Sequence, residues 1–181
     1  MREISLADIV EPGDIILSRS GTWLSRTIRK FGKILSGGAR FSHSALVVDK
    51  EKILEALYTV TESPLKKYDK QDIVVWRNPE WTAEQRQQIV ERLMEIRGEA
   101  YGFSKLPLFM LDSVFRTYFF TSRLGVTSFK VCSTAITWAA FKVTGDKEPF
   151  GCPWRSTQPD TIDDWFTNIK GFAPVFLNIP K

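Results

Sequence analysis

Residues 41–59 read FSHSALVVDKEKILEALYT, and this stretch decides the fold. Two apolar runs, Phe41–Val48 and Ile53–Thr59, flank the charged segment DKEK at 49–52. Apolar runs of strand length on either side of a short polar segment are typical of a β-hairpin. The stretch therefore predicts two antiparallel strands.

Two ionisable residues lie inside this hairpin. His43 and Ala45 share one face of the first strand because side chains alternate along a strand. If the turn comprises the three residues 49–51, Glu55 lies opposite Ala45 and diagonally adjacent to His43, within reach of long side chains. A turn of two or four residues would send Glu55 to the other face, as an edge carboxylate in water. Because an unpaired carboxylate in the apolar run ILEAL is costly, we expect Glu55 to have a partner.

His43 is the only histidine of the chain. Any reaction at neutral pH that needs an imidazole base must therefore use it. A lone histidine in a strand is more often structural, so the assignment depends on the residues that surround it.

Cys132 begins the run CSTAITW, which has helical character. Free backbone amides and the helix dipole at a helix N-terminus favour a thiolate, although most free cysteines are simply small buried side chains. Together Cys132, His43 and Glu55 form a nucleophile, a base and a residue that orients the base. Cys152, in the loop sequence FGCPW, lacks such a helix and is interpreted as structural.

The remaining chain predicts more strands and helices around the hairpin. A turn signal, EPGD at 11–14, precedes a short buried strand, and Thr82 with Gln85 forms a capping box. The further predicted strands are Ile15–Ser18, Thr61–Tyr68, Asp72–Arg77 and Ala173–Leu177, and the predicted helices are Thr22–Leu35, a helix from the Thr82 cap to Gly98, Leu106–Phe120 as a buried helix, Lys130–Thr144 and Pro159–Phe166. Strands in one run with helices on both sides indicate an α+β fold in a single domain, residues 1–181.

Composition and charge limit the classes of function. A chain of 181 residues with 43% hydrophobic residues, 25% charged residues and two cysteines is neither a disordered protein nor a disulfide scaffold. Its net charge of +4 permits contact with anionic surfaces. The candidates for an anionic-surface or membrane contact are the basic residues of the helix at 22–35, namely Arg26, Arg29, Lys30 and Lys33. The favoured interpretation is an ordinary helix face in contact with solvent.

The order of the motifs resembles the circularly permuted branch of the NlpC superfamily of papain-like cysteine peptidases. Gly13-Asp14 resembles the Gly-Asp strand of that family, Ser42-His43 its Ser-His strand, and Leu54-Glu55-Ala56 the strand of its third residue. Val131-Cys132-Ser133 resembles its nucleophile helix, which follows the strands here as it does in the permuted branch.

The resemblance implies a permuted papain-like fold, with an antiparallel β-sheet (partial barrel) packed with helices and the nucleophile at a helix N-terminus. It makes Cys132 the nucleophile, His43 the general base and later acid, and Glu55 the residue that orients His43. Tyr101, upstream of the cysteine, is similar to a tyrosine that lies near the oxyanion in relatives. The implied activity is that of a cysteine peptidase or amidase on a peptide or murein fragment of the bacterial cell wall.

Two other functions stay open. A lipid acyl hydrolase or acyltransferase of the lecithin:retinol acyltransferase-like type would use the basic helix and the aromatic segment 106–120 as membrane contacts. Against it, Val131-Cys132-Ser133 lacks the Asn-Cys-Glu-His motif of that branch. The other alternative is a nonenzymatic binding module on the same fold.

The remaining expectations concern partners, cofactors and location. No cofactor or metal is expected, since one histidine and two cysteines supply few ligands. Nucleic acid is not an expected partner because the basic residues follow no recognition motif. The N-terminus lacks the apolar core of a secretory signal, so a cytoplasmic protein is expected, with delivery to the cell envelope by another route left open.

Overall fold

The computed structural model describes residues 5–19, 40–100, 108, 111–112, 115, 117–124 and 131–178. Two of the sequence predictions lie outside these residues: the basic helix at 22–35, with Arg26, Arg29, Lys30 and Lys33, and the oxyanion candidate Tyr101.

Among the described residues, six strands form one antiparallel sheet in the order β4-β3-β2-β1-β5-β6. The linear order makes this an open sheet, with β4 and β6 at its edges. The bounds are β1 Ile15–Ser18, β2 His43–Val47, β3 Lys52–Ala56, β4 Val60–Pro64, β5 Ile73–Trp76 and β6 Phe176–Asn178.

Helical segments surround the sheet, so the α+β class is confirmed. The α-helices are α1 Leu6–Ile9, α2 Ala83–Glu95, α3 Cys132–Thr144 and α4 Pro159–Asp164. Short 3-10 segments cover Leu65–Tyr68 and Trp154–Ser156, and π-helical turns cover Phe120–Leu124 and Trp165–Ile169. The predicted capping box at Thr82 and Gln85 begins α2, and Gly145 ends α3 in the left-handed conformation with φ 75°. None of the described helices is long and apolar enough to cross a membrane.

The alternation of strand residues divides the interior into two clusters. On one face, Leu46 and Leu54 pack with the apolar side of α3, including Ala135 and Ile136. On the other face, Ala45 and its same-face neighbours pack with Leu6 of α1 and with the 3-10 helix Leu65–Tyr68. The packing of α3 on the sheet therefore places its first residue beside the hairpin of β2 and β3.

The Gly-Asp motif supports the sheet. The buried Asp14 carboxylate accepts two hydrogen bonds of 2.8 Å from Arg77, from Nε and from a terminal nitrogen. The main chain at Gly13 and Asp14 bonds to Val47 at 2.9 and 2.8 Å, which ties the start of β1 to β2. Gly13 has φ 84°, and a Cβ there would lie 2.5 Å from Cβ of Arg86, so the turn needs glycine.

Two of the sequence predictions differ from the structure. The strand predicted over Thr61–Tyr68 ends at Pro64 and continues as the 3-10 helix Leu65–Tyr68, because proline has no N–H for a further ladder bond. The segment Leu106–Phe120 is not a fully buried helix: of its described residues, Leu111, Phe115 and Phe119 are helical and exposed. Its buried polar residue is Asp112, whose carboxylate caps the N–H groups of Phe120 and Thr121.

Candidate active site

The register of the hairpin brings His43 and Glu55 together. Ala45 pairs with Glu55, and Val48 N–H donates to the Lys52 carbonyl at 2.9 Å, so the turn comprises residues 49–51, the length that puts Glu55 on the same face as His43. The Asp49 carboxylate holds this turn by accepting from the N–H groups of residues 51 and 52 at 2.7 and 2.8 Å. His43 Nε2 lies 2.8 Å from Glu55 Oε2, and both side chains are buried.

The third residue, Cys132, is the first residue of α3. Val131 precedes it in an extended conformation, and Val131 N–H donates to the Thr134 hydroxyl at 2.9 Å, which fixes the start of the helix. The Cys132 thiol and the His43 ring interact, and a hydrogen bond between them shifts the pKa values of both groups. Because Glu55 occupies Nε2, Nδ1 is the ring nitrogen left for the thiol. The structure thus brings the three sequence-predicted residues into one cluster.

The pKa values of the two central groups move in opposite directions. Burial opposes the charged imidazolium, but hydrogen bonds to Cys132 and Glu55 outweigh it and raise the pKa of His43 to about 9. Burial also opposes the thiolate, yet the hydrogen bond and the charge of His43 lower the pKa of Cys132 to about 7. Between these two values the favoured state is a thiolate beside an imidazolium.

Glu55 is held by two residues that sequence reasoning missed. Lys67 Nζ donates to Glu55 Oε1, and the Tyr68 hydroxyl donates to Glu55 Oε2 at 3.2 Å. Burial disfavours the carboxylate, but the hydrogen bonds from His43 and Lys67 outweigh it and lower the pKa of Glu55 to about 2. Pro64, which ends the strand, was the signal that could have placed these two residues on a turn facing Glu55.

Asp160 and Arg40, which sequence reasoning also missed, anchor the start of β2. Asp160, at the beginning of α4, accepts hydrogen bonds from the main-chain N–H groups of Arg40 and Phe41 at 3.0 and 2.7 Å. The Arg40 side chain in turn contacts Asp163 at 2.9 Å. Burial raises the pKa of Asp160 to about 6 although these N–H groups favour its charged form. Asp160 therefore fixes the main chain just before the strand that carries His43.

Cys152 has surroundings of another kind. Its thiol is buried and lies 3.3 Å from the Thr157 hydroxyl. Burial raises the pKa of Cys152 to about 11, so its thiol stays protonated near neutral pH. These surroundings fit the structural interpretation of this residue.

The donor atoms of the cluster do not form a metal site. Within the described parts of the chain, no three His, Cys, Asp or Glu residues lie together in a way that could hold a metal ion. Both oxygens of Glu55 are already engaged, one by Lys67 and the other by His43 and Tyr68.

The fold and the cluster define an α+β protein with a buried cluster of Cys, His and Glu, in which the cysteine begins a helix and the other two residues lie on neighbouring strands. No family model matches the sequence, and no curated protein matches it. Among solved structures, the chain is similar to the metalloprotein yiiX from Escherichia coli O157:H7, described as DUF1105. The TM-score is 0.56 and the identity 19%, over 90% of this chain and 83% of that chain. At this identity the similarity concerns the fold alone.

Proposed function

We propose that this protein is a thiol hydrolase that cleaves an amide bond through Cys132, His43 and Glu55. The observation that carries the proposal is the hydrogen-bonded order of the three side chains, with the thiol at the first position of α3. A nucleophile next to a base that a third group orients is the arrangement used in covalent acyl transfer.

The first half of the reaction forms an acyl-enzyme. The thiolate of Cys132 attacks the carbonyl carbon, a C–S bond forms, and the carbonyl electrons move to the oxygen. His43 then gives its Nδ1 proton to the amide nitrogen as the C–N bond breaks, and the amine leaves. The first N–H groups of α3 have no acceptor within the helix and are the donors available to the developing oxyanion.

The second half regenerates the thiolate. Neutral His43 takes a proton from water, whose oxygen attacks the thioester carbon and forms a C–O bond. The C–S bond then breaks, its electrons return to sulfur, and the carboxylic acid leaves. Glu55 holds the imidazole in orientation and stabilises the imidazolium throughout.

The permuted papain-like fold and the substrate class belong to the same proposal. The ordered motifs support both, and a peptide or murein fragment of the bacterial cell wall is the substrate they imply. The fold similarity to yiiX, described as a metalloprotein, adds no metal step, since the donor set of this cluster does not fit a metal ion.

Lipid acyl chemistry is the second candidate, and one observation favours it. Phe115, Tyr118 and Phe119 are 63%, 46% and 56% exposed, and aromatic side chains of this kind can enter a lipid interface. A lipid acyl ester would undergo the same thiolate attack, with an alcohol in place of the amine as leaving group.

The test is incubation with purified muropeptides and, separately, with phospholipid vesicles, with products identified by mass spectrometry. We expect released peptide fragments from the muropeptides. We expect Cys132→Ala to abolish the release, and Glu55→Gln to reduce it about 10-fold or more because the charge that stabilises the imidazolium is lost. Circular dichroism checks that both variants are folded.

The outcomes separate the candidate functions. Released fatty acid would favour the lipid candidate, and binding without any product would favour a binding module. Turnover near that of the wild type in folded Cys132→Ala would contradict thiol chemistry altogether.

A further inference from the structure

We propose that Lys67 is a positioning residue that sets the pH range in which the thiolate and imidazolium of Cys132 and His43 coexist. It would act through Glu55, without touching the reacting atoms. This inference rests on the proposed function, because it assigns a purpose to the same ion pair.

The contacts of Glu55 divide its two oxygens between two cations. Lys67 Nζ donates to Oε1, while His43 lies 2.8 Å from Oε2. The Glu55 side chain is fully buried and that of Lys67 is 32% exposed, so Lys67 approaches the carboxylate from the solvent side. A single buried carboxylate therefore connects Lys67 to the imidazole.

The main chain of Lys67 is held in place. The 3-10 helix is tied to the hairpin tip by the Leu65 N–H, which donates to the Glu51 carbonyl at 2.7 Å, and Leu65 is buried. Gln71 Nε2 donates to the Lys67 carbonyl at 2.9 Å, and Lys67 Nζ lies 5.3 Å from the centre of the Tyr68 ring. These contacts favour one approach of the ammonium to Glu55.

The charges alternate along this chain of contacts. Lys67 is positive, Glu55 negative, His43 positive and Cys132 negative, so the cluster is neutral when the ion pair is formed. Without the Lys67 charge the cluster would carry −1. A more negative surrounding favours the protonated form of every group in it. Loss of the Lys67 charge should therefore raise the pKa values of both Cys132 and His43.

The other described groups around the pair do not replace Lys67. Tyr68 stays neutral in this pH range because burial and the Glu55 charge raise its pKa. Arg40 and Asp160, at the start of β2, are bonded to each other through the Arg40 N–H and are the same in every variant below.

The experiment measures the rate of Cys132 alkylation by iodoacetamide against pH, by peptide mapping, and needs no substrate. Lys67→Gln keeps a donor for Glu55 but removes the charge, and Lys67→Arg restores the charge. Lys66→Met is the matched control, since Lys66 is exposed on the same 3-10 turn. Circular dichroism checks the fold of each variant, and Lys67→Met serves as a second neutral variant if Lys67→Gln does not fold.

We expect a wild-type midpoint at about 7. The midpoint should rise by about one unit in Lys67→Gln. Lys67→Arg should return it to the wild-type value, and Lys66→Met should leave it there. A slower rate at every pH with an unchanged midpoint in Lys67→Gln would mean that Lys67 only supports the fold, and would overturn the proposal.

Two results distinguish this inference from the proposed function. A wild-type midpoint near ~8.5, the value of an ordinary thiol, would remove the ion pair and both proposals with it. The expected shifts in alkylation without any hydrolysis of muropeptides would uphold the role of Lys67 and leave the proposed function unsupported.

Discussion

The two cysteines are chemically alike in isolation and differ through their neighbours. His43 lowers the pKa of Cys132 to about 7, whereas burial raises that of Cys152 to about 11. At pH 8 Cys132 should therefore be largely thiolate, and Cys152 should be almost entirely thiol. The thiolate is the reactive species.

We expect brief treatment with iodoacetamide at pH 8 to label Cys132 much faster than Cys152, as measured by peptide mapping. His43→Ala is the matched variant at the site: it removes the group that lowers the pKa of Cys132 and should slow the labelling of Cys132 alone. Equal labelling of the two cysteines in the native protein would contradict the nucleophile assignment.

At the scale of elements, the two strands of the hairpin were predictable from their apolar runs, whereas the sequence left open the turn length, which decides the face on which Glu55 lies. Moving the register by one residue would place Glu55 on the opposite face from His43, and a buried carboxylate there would lack its partner. The paired residues Ala45 and Glu55 confirm the three-residue turn. The capping box of α2 was predictable for a similar reason, since it depends on two residues three positions apart.

The 3-10 helix Leu65–Tyr68 was not predictable in the same way. Its four residues, LKKY, are too few to establish a period, and only Pro64 indicates the change of direction. The contact of Lys67 with Glu55 depends on that direction. Contacts between side chains of different secondary-structure elements depend on tertiary packing, and a local sequence pattern does not predict that packing.

Two glycines with positive φ allow a test of local packing: Gly13, in the turn before β1, and Gly98, after α2. Gly13 and Gly98 have φ 84° and 89°, so alanine is strained at both. Only at Gly13 would the added Cβ meet another atom, Cβ of Arg86 at 2.5 Å, whereas at Gly98 nothing lies within 4 Å.

We expect Gly98→Ala to lower the free energy of unfolding by about 1 kcal/mol, the cost of the left-handed conformation. Gly13→Ala should lower it by clearly more, because the Arg86 backbone must also move. Urea denaturation of both variants measures the difference. Equal losses would show that the turn does not pack against α2 as described.

At the scale of the whole molecule, the site depends on a contact between distant parts of the chain. Cys132 lies far from His43 and Glu55 in sequence, and the packing of α3 on β2 and β3 closes that separation. Local patterns predicted the helix and the hairpin separately. Their meeting was expected only from the ordered motifs, because periodicity does not say which helix covers which strands.

The contact between Cys132 and His43 that this packing creates can be measured directly. The nucleophile, the base and the carboxylate act together only if Cys132 and His43 exchange a proton in the folded protein. His43 is the only histidine of the chain, so its ring gives a single histidine titration by nuclear magnetic resonance.

We expect the His43 ring to stay protonated up to a midpoint at about 9 in the folded wild type. In Cys132→Ala the midpoint should fall, because the thiolate that stabilises the imidazolium is gone. A wild-type midpoint near ~6.5, the value of a free histidine, that does not change in Cys132→Ala would contradict the ion pair and the proposed mechanism.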